Sequence, residues 1–128
     1  MYYNNGDIYE GDFKNTLREG KGIYYYSDGD RYEGDFKNHI FDGRGILYYK
    51  NGDIYDGEWE KDKRKGKGIY YFLDGDVYEG DWKDGKREGN GILYNNNKDR
   101  RMGNYLNDLP IGKHVKLYVN GQVETELF

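Results

Sequence analysis

Two histidines, His39 and His114, are the only side chains in this 128-residue sequence whose ordinary titration falls near neutral pH, so general acid–base chemistry would begin with them. No convergent partner accompanies either, and a structural or solvated imidazole is the simpler reading of both. The 24 carboxylates recur at regular places, whereas an active site is a singular constellation, so they read as a solubilising stripe that also satisfies turns. Asp28-Gly29-Asp30 has the composition of a calcium loop but lacks the D-x-D-x-D-G spacing and the distant glutamate, and a plain turn is expected there. Gly20-Lys21-Gly22 and Gly89-Asn90-Gly91 lack the GK[ST] ending of a phosphate loop and the helix that would follow it. There is no cysteine, which removes thiolate metal sites and disulfides. The residue types therefore predict no catalysis, no metal and no cofactor.

What remains is recognition chemistry. Lys61, Lys63, Arg64, Lys65, Lys67, Lys83, Lys86 and Arg87 face only Glu60, Asp62, Asp84 and Glu88 in the same loops, eight cations against four anions, a local charge of +4. Near an anionic surface that supplies ~4 kcal/mol at about 1 kcal/mol per charge, roughly millimolar affinity, so these loops are a candidate site for anionic lipids or phosphoinositides. The overall charge of -4 argues against phosphate-driven nucleic-acid binding. No apolar run approaches membrane-spanning length, residues 1–5 lack the apolar core of a signal peptide, and a soluble chain in a reducing cytoplasm, peripheral to membrane or cytoskeleton at most, is the expectation.

The elements that position these groups follow from a period. Gly6, Gly29, Gly52 and Gly75 stand 23 residues apart, as do Tyr9, Tyr32, Tyr55 and Tyr78. A fixed period of this length marks a stacked array whose units cannot bury their own apolar face. Units are expected over residues 6–28, 29–51, 52–74 and 75–97, with a half-unit at 1–5, a degenerate unit at 98–120 and a half-unit or cap at 121–128. Ile, Leu, Val and Phe total only 25 residues, so the 16 tyrosines must carry the burial.

Each unit reads as two strands. Residues 76–82 alternate with period two and residues 91–94 are short and apolar, while helical spacing is absent. Asp28-Gly29, Asn51-Gly52 and Asp74-Gly75 predict two-residue hairpin turns between units, and the connection inside a unit, such as 83–90, is expected to be a longer polar loop. That register would set Tyr48 opposite Tyr55 and Ile46 opposite Gly57. Tyr9, Phe13, Tyr32, Phe36, Tyr48, Tyr55, Trp59, Tyr71, Tyr78, Trp82 and Tyr94 would then share one face with Ile23, Ile46, Ile69 and Ile92. These eleven aromatics are the candidate partner-binding strip. Glu10, Asp12, Glu33, Asp35, Asp56, Glu58, Glu79 and Asp81 would line the other face beside Tyr24, Leu47, Tyr70 and Leu93. The expected fold is all-β, an elongated single-layer antiparallel meander of stacked β-hairpins.

Tyr78-Glu79-Gly80-Asp81-Trp82, then Gly85, then Gly89-Asn90-Gly91, resembles the MORN repeat, whose pattern is YEGxWxxGxxxGxG on a 23-residue period. Thr16, His39 and Asp62 replace the mid-loop glycine, and Phe13 and Phe36 replace the tryptophan. The resemblance implies a twisted single-layer sheet with the family's roles: scaffolding, peptide capture in an aromatic groove, self-association, and phosphoinositide or membrane association. The leading expectation is a non-enzymatic module that binds a protein segment, or a second copy of itself, along the aromatic strip, with a homodimer through the terminal units, the half-unit at 1–5 or the apolar Leu127-Phe128 edge, as a further expectation. Lipid binding through the basic loops is the alternative.

Overall fold

The computed structural model describes all residues 1–128. Eleven strands follow one another in a single antiparallel sheet whose spatial order is the chain order. They are β1 (Ile8–Lys14), β2 (Leu17–Tyr25), β3 (Arg31–Lys37), β4 (Ile40–Tyr48), β5 (Ile54–Glu60), β6 (Lys63–Tyr71), β7 (Val77–Lys83), β8 (Lys86–Tyr94), β9 (Arg100–Leu106), β10 (Leu109–Leu117) and β11 (Val123–Leu127). The all-β meander is as the sequence predicts, but the two kinds of turn are exchanged.

Inside each unit the connection is not a long loop. Asn15-Thr16, Asn38-His39, Lys61-Asp62, Asp84-Gly85 and Asn107-Asp108 each place both residues at positive φ, between 48° and 82°. This is the two-residue type I′ turn, whose twist matches that of the flanking strands. The even strands therefore begin at once and run for nine residues, as in β8.

Between units the turn is one residue longer than predicted. Gly52 N donates to Tyr49 O and Tyr49 N to Asp53 O, so Lys50, Asn51 and Gly52 form a three-residue loop with Gly52 at φ 101°. A type I turn followed by a left-handed glycine has this form, and Asn51 Oδ1 secures it by accepting from Asp53 N at 2.9 Å. One residue of slip moves every side chain of a strand to the other face. Tyr55 consequently pairs with Leu47 and Tyr70, and Gly57 with Gly45 and Gly68.

The corrected register divides the strip. Tyr48, Tyr71 and Tyr94, with Ile46, Ile69 and Ile92, lie on the face opposite Tyr55 and Trp59. Tyr24, Leu47, Tyr70 and Leu93 join the face of Tyr55 and pack against its core. A glycine row from Gly11 to Gly103 crosses the sheet on that same face. It permits a close approach: a Cβ on Gly45 would stand 2.2 Å from Tyr32 Oη, so the phenol lies flat on bare backbone.

Those phenols form the core. Tyr9, Tyr32, Tyr55 and Tyr78 are fully buried although no second layer covers them. Each is gripped edge-on by the aromatic of its own unit and by that of the next. Tyr55 meets Trp59 and Trp82, both at 5.2 Å and near 86°, and Tyr78 meets Trp82 and Tyr105 in the same way. Edge-to-face pairs of this kind add about 0.5–1.5 kcal/mol each beyond burial. Each hydroxyl donates to a carbonyl three residues ahead, such as Tyr55 Oη to Glu58 O at 3.0 Å, and the tryptophans donate Nε1 to Gly45 O and Gly68 O.

The fifth unit reaches the same packing with exchanged residues. Arg101 stands at the tyrosine place and His114 at a glycine place. The buried imidazole of His114 covers Gly103 and reaches Asn104 O at 2.9 Å, as the tyrosine hydroxyls reach their carbonyls. Tyr105 and Phe128 flank it edge-on at 5.3 and 4.9 Å. The released arginine pairs with Glu126 at 3.0 and 3.2 Å.

Candidate functional site

Of the eleven aromatics in the predicted strip, the structure brings seven together as core. Tyr9, Tyr32, Phe36, Tyr55, Trp59, Tyr78 and Trp82 are each at most 6% exposed, so their rings have no surface left for a partner. Phe13 is exposed at one end of the row. Tyr48, Tyr71 and Tyr94 lie across the sheet, where the register places them.

The accessible aromatics on the core face are others. Tyr3, Tyr24, Tyr26, Tyr49, Tyr70 and Phe72 are half-buried against the core and run beside the between-unit turns. Tyr24 and Tyr26 lie 4.8 Å apart, Tyr49 and Tyr70 5.9 Å, and Tyr70 and Phe72 4.7 Å. The sequence signal for them is the aromatic pair that closes β2, β4 and β6: Tyr25-Tyr26, Tyr48-Tyr49 and Tyr71-Phe72. A turn one residue shorter, as expected from the sequence, puts Tyr24 and Tyr70 on the opposite face.

Aspartates of the turns link one unit to the next and brace two of these rings. Asp7 accepts from Ser27 N, Asp30 from Lys50 N, Asp53 from Leu73 N, Asp76 from Asn96 N and Asp99 from Val119 N, at 2.7–2.9 Å. Each bond joins one turn to the next, outside the strand ladder. Tyr24 Oη donates to Asp7 and Tyr70 Oη to Asp53 through the second carboxylate oxygen, at 2.7 and 2.8 Å. The Tyr24 bond, then the Ser27 amide, holds the Asp7 carboxyl below its ordinary range. Burial raises the phenols of Tyr24, Tyr49 and Tyr70, and pushes that of Tyr26 up to about 12.

Arginines are the second component, unread in the sequence as part of this face. Arg64 lies 4.7 Å over the Trp82 ring and 5.7 Å over Tyr70, and donates to Gly85 O at 2.6 Å. Arg87 lies 5.0 Å over Tyr105 and donates to Asp108 O at 2.5 Å. Arg18 lies 5.0 Å over Tyr24 and donates to His39 O at 2.6 Å. His39 in turn accepts from Arg18 N through Nδ1, so both histidines have structural partners.

The predicted basic cluster is gathered only in part: Lys61, Lys63, Arg64, Lys65 and Lys83 line a hollow of about 300 Å³ with Glu60 and Asp84, apart from Lys67, Lys86 and Arg87. Arg64 and Arg87 are committed to the aromatic face. Lys65 pairs with Glu60, Lys67 with Asp81 and Lys83 with Glu88. Lys61, Lys63 and Lys86 remain without an ion pair, and of the three pairs only Lys67–Asp81 brings in an anion from outside these loops.

The opposite face alternates charge with aliphatics. The cross-strand row Glu33, Ile46, Asp56, Ile69, Glu79, Ile92 runs beside Tyr48, Tyr71 and Tyr94. Lys21 pairs with Asp35, and Arg44 with Asp56 at 3.1 Å. Its hollow of about 530 Å³ is lined by Ile69, Ile92, Met102 and Glu79 among others.

A one-layer antiparallel β array of hairpins, each packed on the next through a buried tyrosine and its flanking aromatics, is a repeat protein. The MORN repeat family matches residues 9–31, 32–54, 55–77 and 78–100, and the chain belongs to that family. No curated protein matches it in sequence. Among solved structures it is similar in fold to the TCP domain of SAS-4 (dCPAP) of Drosophila melanogaster, solved in complex with a Proline Rich Motif of Ana2 (dSTIL). The TM-score is 0.64 and the identity 23%, over all of this chain and 70% of that one.

Proposed function

We propose that the chain is a non-catalytic interaction module that holds an extended protein segment along the half-buried aromatics of its core face. The observation that carries this reading is the line of Tyr24, Tyr26, Tyr49, Tyr70 and Phe72, raised above a core already complete without their outer surfaces. Tyr24 and Tyr70, held by Asp7 and Asp53, lose little freedom when a partner covers them, which favours binding. A polyproline II segment suits such a surface because it is pre-ordered and presents flat apolar rings to aromatics. The proline-rich motif seated on the TCP domain supports the same partner class.

Tryptophan fluorescence tests the proposal, since Trp82 lies 6.1 Å from Tyr70 and senses that face. Titration with proline-rich decamers should give saturable quenching. Tyr49→Ala and Phe72→Ala should weaken it by about tenfold, the scale of a lost aromatic interface contact of 1–2 kcal/mol. Tyr71→Ala, on the other face, should leave it unchanged. Equal weakening by Tyr71→Ala, or no binding by any peptide, would refute the assignment. Light scattering in the same samples identifies a second copy of the chain if that is the occupant. Liposome sedimentation that responds to salt and to neutralising Lys61, Lys63 and Lys65, which line the basic hollow, would favour the lipid alternative instead.

A further inference from the structure

Comparison of the units with one another shows one missing part. Arginine occupies positions 18, 64 and 87, and each guanidinium donates to the carbonyl of residue 39, 85 or 108, at 2.5–2.6 Å. At the equivalent place in the second unit stands Phe41. Its ring stacks on Tyr32 at 3.7 Å and 5°, so the aromatic layer is filled, but it carries no donor. Asp62, the turn residue that an arginine would meet, is reached only by the Phe41 backbone amide, on Oδ1 at 2.8 Å. Two units on, its counterpart Asp108 has the same amide bond and also Arg87, with Nη2 on its carbonyl and Nε 3.6 Å from its carboxylate.

A pocket of about 370 Å³ opens at this place, lined by Arg18, Tyr24, Tyr26, His39, Ile40, Phe41 and Asp62. That volume is near the lower end for ligand sites, the size of a side chain or two and not of a folded element. Four of its seven lining residues carry rings, and its one carboxylate, that of Asp62, is exposed. Tyr26 has no hydrogen-bond partner for its hydroxyl, while Arg18 is already held by Tyr3 Oη and His39 O. We infer that this pocket receives an arginine side chain of the bound segment, which supplies from the partner the guanidinium that the second unit lacks. Arginine fits better than lysine because a planar guanidinium stacks on phenols while its fork meets a carboxylate. The inference rests on the proposed groove and fixes where along it the partner's cation sits.

Fluorescence anisotropy with labelled proline-rich decamers, one arginine stepped through each position, tests it against the same peptides carrying uncharged, isosteric citrulline. At the best position the arginine peptide should bind about tenfold tighter, as one charge-assisted contact allows. Asp62→Asn keeps the acceptor for Phe41 N and should erase that difference while leaving citrulline binding unchanged. Phe41→Arg, which restores the repeat's own arginine, should erase it too. Peptides that bind equally with arginine and citrulline at every position would overturn the arginine pocket and leave the groove standing. An arginine preference that survives Asp62→Asn would place the cation elsewhere and also overturn it. Failure of every peptide to bind would remove the groove and the pocket together.

Discussion

Exchange of Arg101 and His114 back to the residues of the other units gives the most demanding test of the packing. His114→Gly removes a fully buried imidazole, its bond to Asn104 O and two edge contacts, and leaves a void over Gly103. The bond is worth about 1 kcal/mol, each ring contact about 0.5–1.5, and glycine within a strand adds about 0.5–1, so the loss is about 3 kcal/mol. At about 2.1 cal/mol/K per residue this lowers a cooperative Tm by about 11 °C. Arg101→Tyr alone drives a phenol into the space of the imidazole and strands Glu126, costing about 1–3 kcal/mol. Together the two changes rebuild the tyrosine-on-glycine arrangement and remove two buried atoms that have no partner, Arg101 Nε and His114 Nδ1. The double variant should match or exceed the parent in stability. Urea denaturation followed by circular dichroism, with hydrogen exchange of β9 to β11 to detect local opening, measures the cycle. Additive losses in the double variant would show that His114 does not replace the tyrosine.

Three further outcomes follow from the same geometry. Gly45→Ala puts a methyl 2.2 Å from Tyr32 Oη, a ring that Phe41 prevents from turning aside, and should cost about 1–3 kcal/mol in thermal denaturation; a neutral result would refute the close approach. Asp53→Ala removes the acceptor of Leu73 N and Tyr70 Oη and should lower stability by about 2 kcal/mol, whereas Asp28→Ala, which loses only the local Asp30 N bond, should cost less than 1. Burial raises the phenols of Tyr9, Tyr32, Tyr55, Tyr78 and Tyr105 above their ordinary value of 10, so the stability they confer is complete below pH 10 and declines as pH rises toward their folded values. Absorbance at 295 nm should therefore show these tyrosines ionising only with loss of the β-sheet signal; ionisation with the sheet intact would contradict their burial.

The 23-residue period, the absence of helix and the single meander were legible because glycine and tyrosine spacing survives in the four units from residue 6 to residue 97. The faces were not. Asn51-Gly52 satisfies both a two-residue and a three-residue turn, and only the recurring aspartate just beyond it (Asp7, Asp30, Asp53, Asp76, Asp99) separates them, through bonds to the next unit that no local rule describes. Conversely, Asn15, Asn38, Asp84 and Asn107 are residues that tolerate positive φ, a signal for the tight turn inside the unit that the expectation of a long loop obscured. Arg64 and Arg87 read as surface charge because composition cannot show a guanidinium laid on rings. Phe41 carried its meaning only by contrast with its arginine counterparts.

Because strand order is chain order, tension along the polypeptide would unzip the sheet one hairpin at a time from an edge, with no strand sheared against many neighbours at once. Each released unit would add about 23 residues at ~3.5 Å, less the ~10 Å that two paired strands already span, an extension of about 70 Å. The aspartate that grips the following turn would act as the catch at each stage, so the array would lengthen under load in equal, separately latched increments.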